Sequence, residues 1–292
     1  MTTERAEPGI LFTGLHAHSV AGSIFDAIGH PPEHMDFAYK NGMDALALTD
    51  HGNMNGLAGQ VLHAKQMQAE GKDFKPIFGV EAYFIPSISE WREEYERVKA
   101  EKKMKKSDGE VSGTTVEDEN ASKQAVKNIL NRRRHLILLA QDQAGLENLF
   151  RLVSESYKPE NFYRYPRVDY KMLAKYSEGV IASSACLGGV YAGNYWENRE
   201  EGSEAVLGAM RTTTTRMVEI FGDRWYGELQ WNSIPEQHDL NQYVIQMKEE
   251  FDIPLISTAD SHYPNPHAWK DRELYKRLGW LGKGKPDWAE NT

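Results

Sequence analysis

One cysteine is all that the 292 residues contain. An internal disulfide needs two, so a secreted scaffold held by disulfides is excluded and the reducing cytoplasm is the default compartment. Long hydrophobic runs are missing as well. None approaches the roughly 20 residues of a spanning helix, and the opening MTTERAEPGI lacks the apolar stretch of a signal peptide. Neither membrane insertion nor secretion is expected. Nor is there a surplus of positive charge: 34 Lys and Arg stand against 43 Asp and Glu, a net −9. That balance argues against a polybasic nucleic-acid binder, whose affinity comes from neutralising phosphates with its own cations. It leaves open an enzyme that meets phosphates through metal ions. With 40% apolar and 26% charged residues, the chain can bury a sizeable core, and its length suits one large or two small domains.

Apolar runs bounded by turn residues mark strands at Gly9–Leu15, Asp44–Thr49, Pro76–Phe84, His135–Ala140, Gly179–Ala185, Tyr226–Trp231 and Ile253–Ala259. Helix-like stretches fall between most of them, at Pro32–Lys40, Asn55–Ala69, Leu146–Tyr157, Tyr170–Tyr176, Glu204–Phe221 and Pro235–Phe251. Such alternation predicts an α/β fold with a mostly parallel sheet, either a barrel or doubly wound. Between Pro86 and Arg134 the pattern breaks, through WREEYERVKAEKKMKK, SDGEVSGTTVEDEN and ASKQAVKNILNRRR. Too polar to fold alone, this interval is expected to be a charged surface insertion, with a helix near Ser89–Lys106, a flexible middle and a second helix near Ala121–Asn131. Both signs of charge alternate through it, which favours a solvated excursion over a basic arm for nucleic acid.

The side chains able to bind transition metals recur where the runs end. His16 and His18 form a His-x-His pair after the first run, and residues two apart share one face of a strand. Asp50 and His51 follow ALALT, Glu81 lies near the end of PIFGVEAYF, Cys186 closes GVIASSAC, and Asp260 and His262 follow IPLISTA. His135 is the exception, because it opens its run. Imidazole and thiolate favour zinc, iron or manganese over magnesium. One such residue at a strand end is more often a hydrogen-bonded structural group, and a free Cys is more often a small buried hydrophobe. Their shared position is what a common site at the strand ends of an α/β barrel would produce. His30, His34, His63, His238 and His267 fall in helical or loop stretches and are expected to have surface or capping roles.

Taken in order, GLHAHS, LALTDHGNMNG, KPIFGVEAYF, RRHLILLAQ, GVIASSACLGG and LISTADSHY resemble the polymerase-and-histidinol-phosphatase (PHP) domain, and specifically that of bacterial DNA polymerase III alpha subunits. The resemblance covers nearly the whole chain as a single domain, with the charged insertion as its main departure. It implies a distorted (βα)7 barrel carrying two to three divalent metal ions (Zn, Mn or Fe). His16, His18, Glu81 and Asp260 would hold the first ion, with Glu81 bridging to a second held by His135 and Cys186. His51 and His262 would hold the third, together with Asp26. VAGSIFDAIG has one residue more before that acid than the family's usual spacing. Asp50 would orient a ligand or a bound water.

Phosphoester hydrolysis is the implied chemistry, with Asp260, Glu81 and His51 as catalytic groups, and a 3′–5′ exonuclease that proofreads DNA is the leading reading. Arg164 and Arg167, in the aromatic stretch NFYRYPRVD, and Arg134 of the Arg132–Arg134 run are the substrate-binding candidates. The implied partners are a single-stranded DNA 3′ end and a polymerase body in the same or a separate chain. Two alternatives remain: a non-catalytic, metal-stabilised support for the polymerase, and a stand-alone phosphatase acting on small phosphomonoesters.

Overall fold

The computed structural model describes residues 12–107 and 132–281. In chain order come α1 (Pro31–Lys40), β1 (Ala45–Leu48), α2 (Leu57–Ala69), β2 (Lys75–Phe84), α3 (Ile88–Ser107) and β3 (Arg134–Ala140). Then follow α4 (Gln143–Ser156), β4 (Phe162–Tyr163), β5 (Tyr165–Val168), α5 (Tyr170–Lys175), β6 (Val180–Ser183) and α6 (Val190–Asn198). The last are α7 (Ser203–Phe221), β7 (Trp225–Gln230), α8 (Pro235–Phe251), β8 (Leu255–Thr258) and α9 (Trp269–Leu281).

A curled sheet runs β1, β2, β3, β6, β7, β8 through hydrogen-bonded neighbours. The expected first strand closes it, though as isolated bridges and not as a regular strand. Gly14 bridges Leu46, Ala17 bridges Ser261, Thr49 N donates to Ala17 O at 2.8 Å, and His18 N donates to Ser261 O at 2.8 Å. Segment 14–18 thus lies between β1 and the chain leaving β8, completing the distorted barrel. Pairing is parallel at β1–β2, β6–β7 and β7–β8, whereas β3 runs antiparallel to both β2 and β6. Three elements were not legible in the sequence: α6, α9 and the short β4–β5 hairpin, whose second strand pairs with the end of β2.

Residues alternate across the sheet with period two. Val80, Ala82, Phe84, Leu136, Leu138, Val180, Ala182 and Trp225 face outward, into a core shared with Leu149, Leu152, Met210 and Val244 of the surrounding helices. Ala47, Ile137 and Leu139 face inward beside Ile77 and Ile181. Both faces being buried explains why these strands read as unbroken apolar runs. Helix starts are set locally, as where Asp142 accepts Gly145 N at 2.8 Å to cap α4. Asp169 does the same for α5, and its other oxygen accepts Ile88 N, fixing the start of α3. That helix is the expected first helix of the insertion. The expected flexible middle and the helix at 121–131 lie outside the described residues. At the N-terminal end of the parallel strands, Ile77, Ile137, Leu139, Ile181 and Ile256 line a cavity of about 510 Å³. The chemistry-bearing residues gather at the other end.

Candidate metal centre

β3 runs backwards, so its first residue lies at the end of the barrel where the parallel strands finish. His135 pairs in register with Tyr83 near the end of β2, and Ile137 with Glu81. This resolves the one residue that strand-end logic did not select. It also means that the charged insertion leaves β2 and returns to β3 at that same mouth.

All nine expected ligands converge here. Asp260 Oδ1 lies 3.1 Å from Nε2 of both His16 and His18, and Glu81 Oε2 lies 3.2 Å from His18 Nε2 and 2.7 Å from His51 Nδ1. The other Glu81 oxygen contacts His135 Nδ1, which lies 3.6 Å from Cys186 Sγ. Asp26 Oδ2 lies 3.0 Å from His51 Nε2 and 3.4 Å from His262 Nε2. The groups His16/His18/Glu81, Glu81/His135/Cys186 and His18/His51/His262 each offer donor atoms within 4.8 Å of one another.

Whether these residues suit a metal can be judged from their unpaired atoms. His16 Nε2, His18 Nε2, His51 Nδ1, Glu81 Oε2 and Asp260 Oδ1 are all buried without a hydrogen-bond partner, despite approaching one another this closely. Leaving so many buried polar atoms unpaired costs about 1–3 kcal/mol each, more for charged ones. Buried imidazole nitrogens and carboxylate oxygens converging on shared points are what a divalent cation completes. The donor set fits one.

The outer partners of the histidines fix which ring nitrogen faces inward. His16 Nδ1 meets Glu228 Oε1 at 2.7 Å and His262 Nδ1 meets the Asp260 carbonyl at 2.8 Å; both oxygens can only accept, so Nδ1 carries the proton and Nε2 the lone pair. His18 Nδ1 lies 3.2 Å from Ser23 Oγ, whose hydroxyl donates to Asp50 at 2.8 Å and must therefore accept from His18. Asp50 also accepts from Ser19 N and Ser19 Oγ, at 2.7 and 2.8 Å. Asp50 thereby ties the segment after His18 to the start of the His51 segment. Glu228 was missed by sequence reasoning, for it sits mid-strand in WYGELQ and only inward alternation on β7 could have pointed to it. Arg272, from the unexpected α9, was also missed; it donates to Asp26 Oδ1 at 2.9 Å and to the Asp26 carbonyl at 2.8 Å.

Backbone strain lies beside the donors. Phe25, Ala185 and Asp260 have φ of 64°, 60° and 49°, a left-handed region that non-glycine residues avoid at a cost of about 1–3 kcal/mol. Two immediately precede Asp26 and Cys186 in the chain. Asp26 follows the left-handed turn at Phe25, and its carboxylate reaches His51. Close approach requires glycine at 189, where an added Cβ would lie 2.1 Å from the Ser184 carbonyl oxygen.

Without metal, protons supply part of the missing positive charge. Burial would raise the carboxyls of Glu81 and Asp260, but the neighbouring histidines outweigh it and hold both well below the usual range. Burial likewise works against protonating His51, yet Glu81 and Asp26 push it up to about 10. His16 is raised despite its burial, by Asp260 and Glu228. His18 goes the other way, down to about 3, through burial and the adjacent His51 and His262. Burial and the charges of Asp260 and Glu81 push the Cys186 thiol up.

The expected substrate arginines are not brought to the cluster. Arg167 is 2% exposed, with its guanidinium 3.7 Å from the Trp91 ring centroid and its Nε donating to the Asn161 carbonyl. Burial pulls its pKa down to about 10. Arg134 alternates away from His135 and pairs with Glu197. Arg164 is exposed at the β4–β5 turn, 5.7 Å from the Tyr163 ring. Among the other histidines, His30 precedes α1 and donates its backbone N–H to Glu33, and His63 pairs with Asp36 at 2.9 Å. His34 departs from its expected surface role, being 4% exposed and 3.1 Å from the Ile28 carbonyl.

Compared with known families, residues 14–232 match the PHP domain. The chain belongs to the PHP domain family. Curated proteins similar to this PHP domain include the DNA polymerase III subunit alpha of Aquifex aeolicus, 35% identical over 255 residues, covering 87% of this chain and 18% of that protein. The same subunit of Borreliella burgdorferi is 34% identical over 279 residues, covering 94% and 20%. That of Deinococcus radiodurans is 34% identical over 219 residues, covering 75% and 13%. The PHP domain described here thus spans about a fifth or less of the length of these relatives. Among the described residues no helix is long and apolar enough to cross a membrane.

Proposed function

We propose that this PHP domain is a metal-dependent phosphoesterase acting as a 3′–5′ exonuclease on single-stranded DNA ends, in the cytoplasm and alongside a polymerase body. One observation carries the reading: five buried donor atoms, on His16, His18, His51, Glu81 and Asp260, are unpaired and aimed at one another at the barrel mouth. His16, His18, Glu81 and Asp260 would hold one ion, Glu81, His135 and Cys186 a second, and Asp26, His51 and His262 a third. Divalent ions placed so can lower the pKa of a water and neutralise charge building on phosphoryl oxygens. Glu81 has one oxygen toward His51 and the other toward His135, so it can serve two ions at once. Glu228, Ser23 and the Asp260 carbonyl keep His16, His18 and His262 in the ligating tautomer. Asp260, 3.1 Å from both His16 and His18, and His51, between Glu81 and Asp26, would act with Glu81 as the catalytic groups by holding the ions that activate the water. The similarity to polymerase subunits supports DNA as the substrate.

The test is a metal count on purified protein, paired with hydrolysis of 3′-labelled single-stranded DNA with and without chelator. Bound metal and chelator-sensitive loss of the 3′ nucleotide are expected. His16→Ala and Asp260→Ala should abolish hydrolysis, while His63→Ala, altered at the Asp36 pair, should leave it intact. Near-zero metal would overturn the cluster. Tightly held metal without hydrolysis of DNA would overturn the exonuclease reading in favour of a metal-stabilised support for the polymerase.

A further inference from the structure

Arg133 stands at the mouth, immediately before β3. Its neighbours in the chain turn to Glu197: Arg132 Nε lies 3.4 Å from that carboxylate and Arg134 contacts it directly. Arg133 points elsewhere. Its guanidinium carbon lies 3.7 Å from the Tyr165 ring centroid and 5.1 Å from that of Tyr83. The two rings are themselves 4.9 Å apart. Tyr83 in turn lies 5.6 Å from the His135 ring and 6.1 Å from the His51 ring, so the same aromatic ring neighbours the guanidinium and two candidate ligands.

Among the described residues no acid pairs with Arg133, and its Nε is buried without a hydrogen-bond partner. A half-buried cation held by aromatic faces, lacking a counter-ion, is costly unless an anion completes it. Stacking is also what keeps a guanidinium rigid with its Nη donors free, which suits phosphate recognition. Because the Tyr83 ring touches both Arg133 and the edge of the cluster, the guanidinium stands beside the centre, within reach of a phosphate next to the reacting one. Tyr165 offers a face for stacking beside it.

We propose that Arg133, held by Tyr165 and Tyr83, binds the phosphate adjacent to the scissile one, so that the site selects a DNA strand over an isolated phosphomonoester. The inference rests on the phosphoesterase reading above, and its test separates the two. Binding of a fluorescent single-stranded oligodeoxynucleotide with phosphorothioate linkages, which resist turnover, is measured by anisotropy across a salt series on metal-loaded wild type, Arg133→Met, Arg133→Lys and Arg164→Met. Loss of one phosphate contact should make the slope of log Kobs against log salt shallower by about 0.7 in Arg133→Met. Arg133→Lys should keep most of that slope with weaker binding, and Arg164→Met should match wild type. For turnover, Arg133→Met should raise KM for an oligodeoxynucleotide about tenfold while leaving hydrolysis of p-nitrophenyl phosphate, metal content and melting temperature unchanged. An unchanged slope and affinity in folded, metal-loaded Arg133→Met overturns the proposal, as does a wild type that does not bind the oligonucleotide. In either case, hydrolysis of p-nitrophenyl phosphate would leave the phosphoesterase reading standing.

Discussion

Glu228→Gln tests the reasoning at the candidate centre most directly, because it removes a charge with almost no change of shape. The carboxylate is 1% exposed. One oxygen accepts from His16 Nδ1 at 2.7 Å, Thr258 Oγ1 at 2.5 Å and Gln230 Nε2 at 3.0 Å; the other accepts from Ser183 Oγ at 2.5 Å. A glutamine can keep its oxygen toward the first three donors and turn its amide to Ser183, whose hydroxyl can rotate to accept. The fold should therefore survive. What is lost is the negative charge that holds His16 with Nδ1 protonated and makes Nε2 a better donor. Partners of this kind are worth about 10–100-fold in metal affinity, or about 1.4–2.7 kcal/mol. Glu228→Ala would be a poorer probe, since it strands buried donors at about 1–3 kcal/mol each and confounds affinity with stability. Competition for metal against a chromophoric chelator gives the affinity, and thermal unfolding of the metal-free protein gives the control. Wild-type affinity in a variant that melts normally would refute the role assigned to Glu228.

Metal binding should release protons, since metal-free His51, pushed up to about 10, and the raised His16 both carry them near neutral pH. Apparent metal affinity should rise with pH through neutrality, and calorimetry in buffers of different protonation enthalpy should show the release; heats independent of buffer would contradict it. The pKa of His34 is shifted the other way: burial lowers it from 6.5 to about 4 in the folded state, so its contribution to stability is full above 6.5 and is lost as pH falls toward 4. The loss is on the order of 3 kcal/mol, and His34→Gln, which keeps a donor for the Ile28 carbonyl, should flatten it in denaturation measured across that window. Arg167→Met removes a buried guanidinium whose two Nη atoms have no hydrogen-bond partner, so stability should change by no more than about 1 kcal/mol in either direction. Its DNA salt slope should equal that of wild type; a shallower slope would return Arg167 to the role expected from the sequence.

The alternation of apolar runs with helical stretches was enough for the α/β class, because burying both sheet faces leaves an unbroken apolar signature that survives in one dimension. Seven of the nine gathered donors stood out in the sequence because metal-binding side chains at strand ends contrast with apolar neighbours, whereas His135, which opens its run, was named through the family resemblance. Asp26 was harder, because it follows a left-handed turn at Phe25 outside any regular element, and only the folded chain shows its carboxylate 3.0 Å from His51. Helix α6, with one Gly and three aromatic residues among nine, and the β4–β5 hairpin, whose strands are two and four residues long, carry weak local signals, and tertiary packing selects their conformations.

Composition and order, then, determined by themselves the class of fold, which follows from period-two burial, while the resemblance carried by the ordered motifs named the candidate metal-binding side chains. Tertiary structure alone decided direction and environment. The reversal of β3 brought His135 to the common mouth, inward alternation on β7 put Glu228 behind His16, and burial removed Arg167 from the substrate candidates while leaving Arg133 beside the ligands without an acid among the described residues. Charge, desolvation and ring stacking depend on neighbours distant in sequence, and only the folded chain brings those neighbours together.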